Sequence, residues 1–313
     1  TSKGMTDVSG KVTAKYELSE VSAMASDYLP KGLTVSGRRS DVFTFQSKYP
    51  ADQPDKMPAN LDGTGSFGFE SANYMGMDFG NTDIDINIDN GLLKVSPFTT
   101  NVNGGKLNFA GNIDLTKKPA VLTTPEPMQI IDDINVTDEM GKKLLKYLNP
   151  VFSDQANLTG SADLNCEKLK LPLGGGAVVS SAEIAATAAI DNASLQSKGL
   201  LGSIMSRATN KRTMRADMLP SQFTLNKGIV SYDNMQINID QTYPITFMGS
   251  INLGEEQKKL DMKAALPYEV AFDGMEPKFS TVTVDGNLKD RIELPIKGTV
   301  ENNTIDWQGF IDN

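Results

Sequence analysis

Few side chains in this 313-residue chain are equipped for covalent chemistry. There is no histidine and a single cysteine, Cys166. Without histidine, Ser-His-Asp and Cys-His catalysis, His-based zinc sites and the usual proton carrier near neutral pH are removed. Cys166 has the parity of Leu158, Gly160, Ala162 and Leu164, so a small buried hydrophobe is expected rather than a reactive thiol. The chain holds 39 Asp and Glu residues, but no pair of them stands out as a general acid and base. No enzyme activity, cofactor or metal is expected.

Other motifs dissolve on inspection of their flanks. Gly63-Thr64-Gly65-Ser66-Phe67-Gly68 matches a dinucleotide fingerprint, yet a proline-rich loop precedes it and no helical spacing follows. Gly174-Gly175-Gly176 lacks the Lys and Ser/Thr of a phosphate loop and reads as a turn. Asp83, Asp85, Asn87 and Asp89 start like a calcium loop, but Ile88 and Lys94 stand where Gly and Glu are needed. Arg207, Lys211, Arg212 and Arg215 would share one side of a continued helix; they are a candidate contact for anionic head groups or a partner. A net charge of −9 argues against nucleic acid. No apolar run is long enough to span a membrane.

The elements that must carry any function are strands. A pattern of apolar, any, apolar, any, Gly, polar, apolar recurs at Leu107–Ile113, Ile245–Ile251, Val282–Leu288 and Leu294–Val300. Its glycine has the parity of the apolar residues, so it faces the dry side of a half-buried strand. Val8 to Leu18 alternates in the same way, and a short helix is expected at Glu20–Tyr28. Strands are expected at Leu33–Gly37 and Val42–Phe45, with a loop over Tyr49–Asn60. Residues 63–122 read as hairpins, with Asn90-Gly91 suited to a type I′ turn. Helical spacing appears at Thr137–Asn149 and Leu195–Thr209. Gly91-Leu92-Leu93 to Leu115 and Gly228-Ile229-Val230 to Leu253 look like two copies of one unit. The expected organisation is 1–62, 63–125, 126–215 and 216–313 within one continuous domain, mainly β, with two or three short amphipathic helices.

So few helices cannot cover so long a dry face, and soluble chains seldom leave large apolar patches bare. Ile, Leu, Val, Phe and Met lining suits acyl chains. Asn90-Gly91-Leu92-Leu93-Lys94-Val95-Ser96-Pro97 and Gly104–Leu115, repeated at Asn226–Val230 and Gly249–Leu253, resemble the repeats of AsmA-like bacterial envelope proteins. The closing Leu294–Val300 is similar as well. The resemblance implies a long, twisted antiparallel sheet curled into a taco-like hydrophobic groove. It also implies a periplasmic, non-enzymatic lipid-binding or lipid-transfer role in outer-membrane biogenesis, with anchoring to the inner membrane by a segment absent from this chain. The start at Thr1 fits a mature or excised piece of something longer.

The groove residues expected to solvate a phospholipid or other acyl lipid are Ile84, Ile86, Ile88, Leu107, Phe109, Ile113, Leu115, Ile237, Ile239, Phe247, Ile251 and Leu253. Gly111 and Gly249 are expected to leave room. Aspartate at Phe109 or Phe247 is expected to abolish lipid binding without unfolding. The alternative is an assembly protein that pairs strand edges with an envelope partner or with itself.

Overall fold

A computed structural model describes residues 4–26, 29–153, 155, 157–174, 178–196, 198–205, 211–254, 258–267, 282–284, 287–289 and 291–306. The fold is mainly β. Nineteen strands belong to one antiparallel sheet and two more form a separate hairpin. In chain order the first elements are β1 (Met5–Glu17), α1 (Leu18–Met24), β2 (Thr34–Ser36), β3 (Arg38–Pro50), β4 (Leu61–Phe69), β5 (Ser71–Tyr74), β6 (Met77–Phe79), β7 (Thr82–Asp89), β8 (Leu92–Val102), β9 (Gly105–Asp114) and β10 (Ala120–Thr123). There follow β11 (Met128–Asn135), α2 (Asp138–Lys143), β12 (Thr159–Leu173), α3 (Val178–Ser181), β13 (Glu183–Gln196), α4 (Gly199–Met205), β14 (Thr213–Asn226), β15 (Ile229–Ile239), β16 (Tyr243–Asn252) and β17 (Leu260–Pro267). The last are β18 (Val282–Val284), β19 (Asn287–Lys289), β20 (Arg291–Gly298) and β21 (Asn303–Ile305).

By contact density the residues group into two compact units. Unit 1 is Thr1–Asp132 with Cys166–Glu183, and unit 2 is Asp133–Asn165 with Ile184–Asn313. The divisions fall inside β11 and β12 and at the start of β13, where no change of composition marks them.

The internal repeat is real at the level of register. Asn90 and Gly91 turn with φ of 49° and 76°; Lys227 and Gly228 turn with 51° and 78°. These are the positive angles that a type I′ turn requires. In the first hairpin Leu93 faces Ile113, Val95 faces Gly111 and Phe98 faces Phe109, with a bulge between Val95 and Phe98. In the second, Val230 faces Ile251, Tyr232 faces Gly249 and Met235 faces Phe247, with the bulge between Tyr232 and Met235. The base closes alike: Leu115 N–H donates to Gly91 O (3.0 Å) and Leu253 N–H to Gly228 O (2.7 Å). A bulge opposite the motif glycine twists each hairpin at the same place.

Several expected boundaries move. The first helix is Leu18–Met24, earlier than expected, and it buries none of its residues; Asp27 and Tyr28 lie outside the described residues. β3 is far longer than Val42–Phe45, because its ladder with β1 runs unbroken from Pro50 to Arg38. The loop at 49–60 contains two 3-10 turns, each started by proline, at Pro54–Lys56 and Pro58–Asn60. Thr137 caps α2, its hydroxyl accepting from Met140 N–H at 3.2 Å, but that helix ends at Lys143. A 3-10 turn then takes over at Leu145–Tyr147. Leu195 lies in β13, α4 is Gly199–Met205, and residues 206–209 of the expected helix lie outside the described residues. The pattern at Val282–Leu288 is two strands of a hairpin rather than one strand, with Val284 paired to Asn287. Asp285 and Gly286 lie outside the described residues.

Candidate functional site

The apolar side of unit 1 is built strand by strand from the registers. Gly10 faces Phe45, Phe45 faces Gly63 and Gly63 faces Ile88. Ile88 faces Leu93, Leu93 faces Ile113, Ile113 faces Leu122 and Leu122 faces Leu171. This row crosses eight strands, so it extends for about 34 Å at ~4.8 Å per strand. A second row runs Val12, Phe43, Gly65, Ile86, Val95, Gly111. The Phe98 and Phe109 rings lie 6.1 Å apart beyond it.

These side chains are not covered. Val12 is 47% exposed and Phe67 38%. Phe43, Phe45, Ile86, Ile88, Leu107, Phe109, Ile113 and Leu115 are all half-buried. Among the described residues of unit 1, the buried apolar ones are only Ala72, Ile84, Val102, Ala110, Cys166 and Ala182. Cys166 is the small hydrophobe expected, and burial pushes its thiol pKa up, away from reactivity.

One end of this face turns polar. Arg39 and Asp41 have the parity of Phe43 and Phe45. The Arg39 guanidinium donates to both Asp41 oxygens, at 2.9 and 3.3 Å, and pairs with Asp83 at 2.7 Å. The Tyr16 hydroxyl donates to Asp41. Burial pushes the Asp41 carboxyl up, but the Arg39 and Tyr16 bonds outweigh it and leave the pKa below the ordinary value. Burial, then the bond to Asp41, raises the Tyr16 phenol. Sequence reading missed this cluster; its signal was two charged residues at dry-side positions of β3.

The equivalent side of unit 2 is closed. Ile237, Ile239, Phe247 and Ile251 are at most 1% exposed, and Leu253 is half-buried beyond the end of β16. The turns after α2 lie over them: Asn149 Nδ2 donates to Met235 Sδ at 3.4 Å, and Val151 and Phe152 are buried beside it. α4 packs on the Pro150–Phe152 turn and on β21, burying Leu200, Leu201, Ile204 and Met205. An aspartate at Phe247 would therefore unfold this core rather than merely empty a groove, since a buried charge there has no partner.

The glycines do not leave room as expected. A Cβ at Gly111 would stand 2.9 Å from Leu122 Cδ1 and 3.0 Å from Phe109 Cε1, and one at Gly10 would stand 2.9 Å from the Phe45 ring. Neighbouring side chains already lie over these positions. At Gly249 φ is 121° and a Cβ would collide with the Asp261 carbonyl of β17. Tyr232 reaches past it, its hydroxyl donating to Met262 Sδ at 3.6 Å.

The basic cluster is not one helix face. α4 is Gly199–Met205, residues 206–210, Arg207 among them, lie outside the described residues, Lys211 and Arg212 are not helical, and Arg215 is in β14. Lys211 Nζ donates to Asp240 at 2.6 Å, and Arg215 donates to Asn192 with Asp217 4.0 Å away. Acidic neighbours thus offset the charge that sequence spacing had grouped. Among the described residues no group of acidic or cysteine side chains is placed to hold a metal ion, and no helix is long and apolar enough to cross a membrane. No family model, curated protein or solved structure matches this chain.

Proposed function

We propose that the chain is a non-enzymatic lipid-binding or lipid-transfer module, and that its acyl-chain site is the apolar side of unit 1. One observation carries this reading. Two hairpins of identical register present matching apolar residues, yet only one set is covered: Phe247 is 0% exposed while its counterpart Phe109 is half-buried. Among the described residues, helix and turns cover one copy and none cover the other. An uncovered apolar stripe of this length calls for an apolar occupant. The side chains proposed to solvate it are Ile86, Ile88, Leu107, Phe109, Ile113 and Leu115, together with Phe43 and Phe45. The resemblance to AsmA-like repeats supports a phospholipid as that occupant and the bacterial periplasm as the setting.

Native mass spectrometry of the purified chain tests the reading. Phe109→Asp is expected to remove co-purifying phospholipid while leaving the strand signal in circular dichroism intact. Retention of wild-type lipid by a folded Phe109→Asp variant would count against the site.

A further inference from the structure

Among the described residues, the first strand of unit 1 has an open edge. Among the described residues β1 pairs with β3 alone. The ladder's two ends fix which groups that pairing uses: Ala51 N–H donates to Gly4 O and Leu18 N–H to Gly37 O, both at 2.9 Å. In an antiparallel ladder such bonds alternate along the strand. Even-numbered residues of β1, from Thr6 to Tyr16, therefore spend their N–H and C=O groups on β3. Odd-numbered residues, from Met5 to Glu17, aim theirs outward. Every one of these from Met5 to Lys15 is exposed. A long unpaired edge is a template for another strand.

The charges on that edge say which strand. Lysines such as Lys11 and Lys15 ordinarily repel an incoming edge. Asp7 changes this for one partner. If a second copy of β1 lies antiparallel with Ser9 on the two-fold axis, Asp7 of each copy stands opposite Lys11 of the other. Met5 then faces Thr13, and no like charges meet between Met5 and Thr13. Centring on Lys11 instead would set two lysines against each other. The Ser9 register also keeps Val8, Gly10 and Val12 on the apolar side, so that side continues across the axis. Roughly ten backbone hydrogen bonds would form, two for each outward residue from Met5 to Thr13. Among the described residues, Asp7 has only a loose partner within its own chain, Lys48 at 3.9 Å with both side chains well exposed.

We infer that the β1 edge is a self-association surface, pairing two copies of this chain into a closed two-fold dimer. The inference stands on backbone direction and charge, independently of whether unit 1 carries lipid.

Analytical ultracentrifugation over a concentration series tests it. The wild type is expected to sediment at twice 33.8 kDa. Ser9→Pro removes one outward N–H without touching the β3 ladder, a position where an edge strand tolerates proline; it is expected to sediment as a monomer. Asp7→Lys is expected to weaken the dimer about tenfold or more, and Asp7→Lys with Lys11→Asp to restore it, because opposite charges are re-paired in the same register. The charge-swapped pair decides the matter if Ser9→Pro fails to fold. A wild-type monomer at all concentrations, or a dimer indifferent to both Ser9→Pro and Asp7→Lys, overturns the inference, as does an open-ended oligomer.

Discussion

The motif glycines occupy one sequence position and meet two different physical demands. At Gly111 the backbone is ordinary strand, and a methyl group would meet only the tips of Leu122 and Phe109. Those side chains can shift. At Gly249 (φ 121°) and Gly298 (φ 109°) the conformation is one that residues with a Cβ rarely adopt, and a methyl group would strike backbone, the Asp261 carbonyl of β17 and the Asn302 carbonyl before β21. Gly249→Ala is therefore expected to cost about 2 kcal/mol or more. Gly111→Ala is expected to cost less than half of that. Urea unfolding midpoints of the two variants decide it; equal losses would mean that Gly249 is not held by its backbone. The alternation revealed that these glycines face the dry side. It could not reveal what lies over them, since that depends on side chains from strands paired across the sheet.

Among elements, the twin hairpins show how little of a fold's surface is set by the strands themselves. Asn90-Gly91 and Lys227-Gly228 make the same turn ahead of each ladder, and the same bulge follows, so local sequence directs the same ladder twice. What differs is the cover, and cover comes from segments distant in the chain: the turns at 145–152 and α4. Pairing between β12 and β13 adds an acid-sensitive contact in unit 1. Glu183 is held at a pKa of about 2 by hydrogen bonds from Lys168 (2.7 Å) and Lys170 (2.6 Å). In the unfolded chain such a carboxyl titrates near ~4.3. Its folded value is the lower one, so its stabilising effect is full above ~4.3 and disappears as pH falls toward 2. The gap in urea midpoint between the wild type and Glu183→Gln should accordingly close between those two values. A gap that stays constant across that interval would show that the contact is not electrostatic.

For the molecule as a whole, the uneven distribution of buried side chains predicts uneven stability. Large, fully buried residues such as Phe152, Phe247, Ile190 and Leu195 belong to unit 2. Amides of β15 and β16 are expected to exchange with deuterium more slowly than those of β8 and β9, because openings are governed by the apolar contacts they break. A short-chain phospholipid is expected to slow exchange in β8 and β9 while leaving β15 and β16 unchanged; equal protection of both hairpins without lipid would contradict this. The amino-acid sequence by itself determined the mainly β class, the type I′ turn at Asn90-Gly91, the repeat, and the absence of histidine chemistry. Each of these is a local property, written in residues close together along the chain. Only the tertiary structure decided that Phe247 is core while Phe109 is half-buried, that Arg39 and Asp41 pair at the margin of the apolar side, and that Lys211 and Arg215 are matched by acidic partners. Those outcomes depend on which distant segments fold back over a face, and alternation, which reports only the two sides of a strand, carries no record of that.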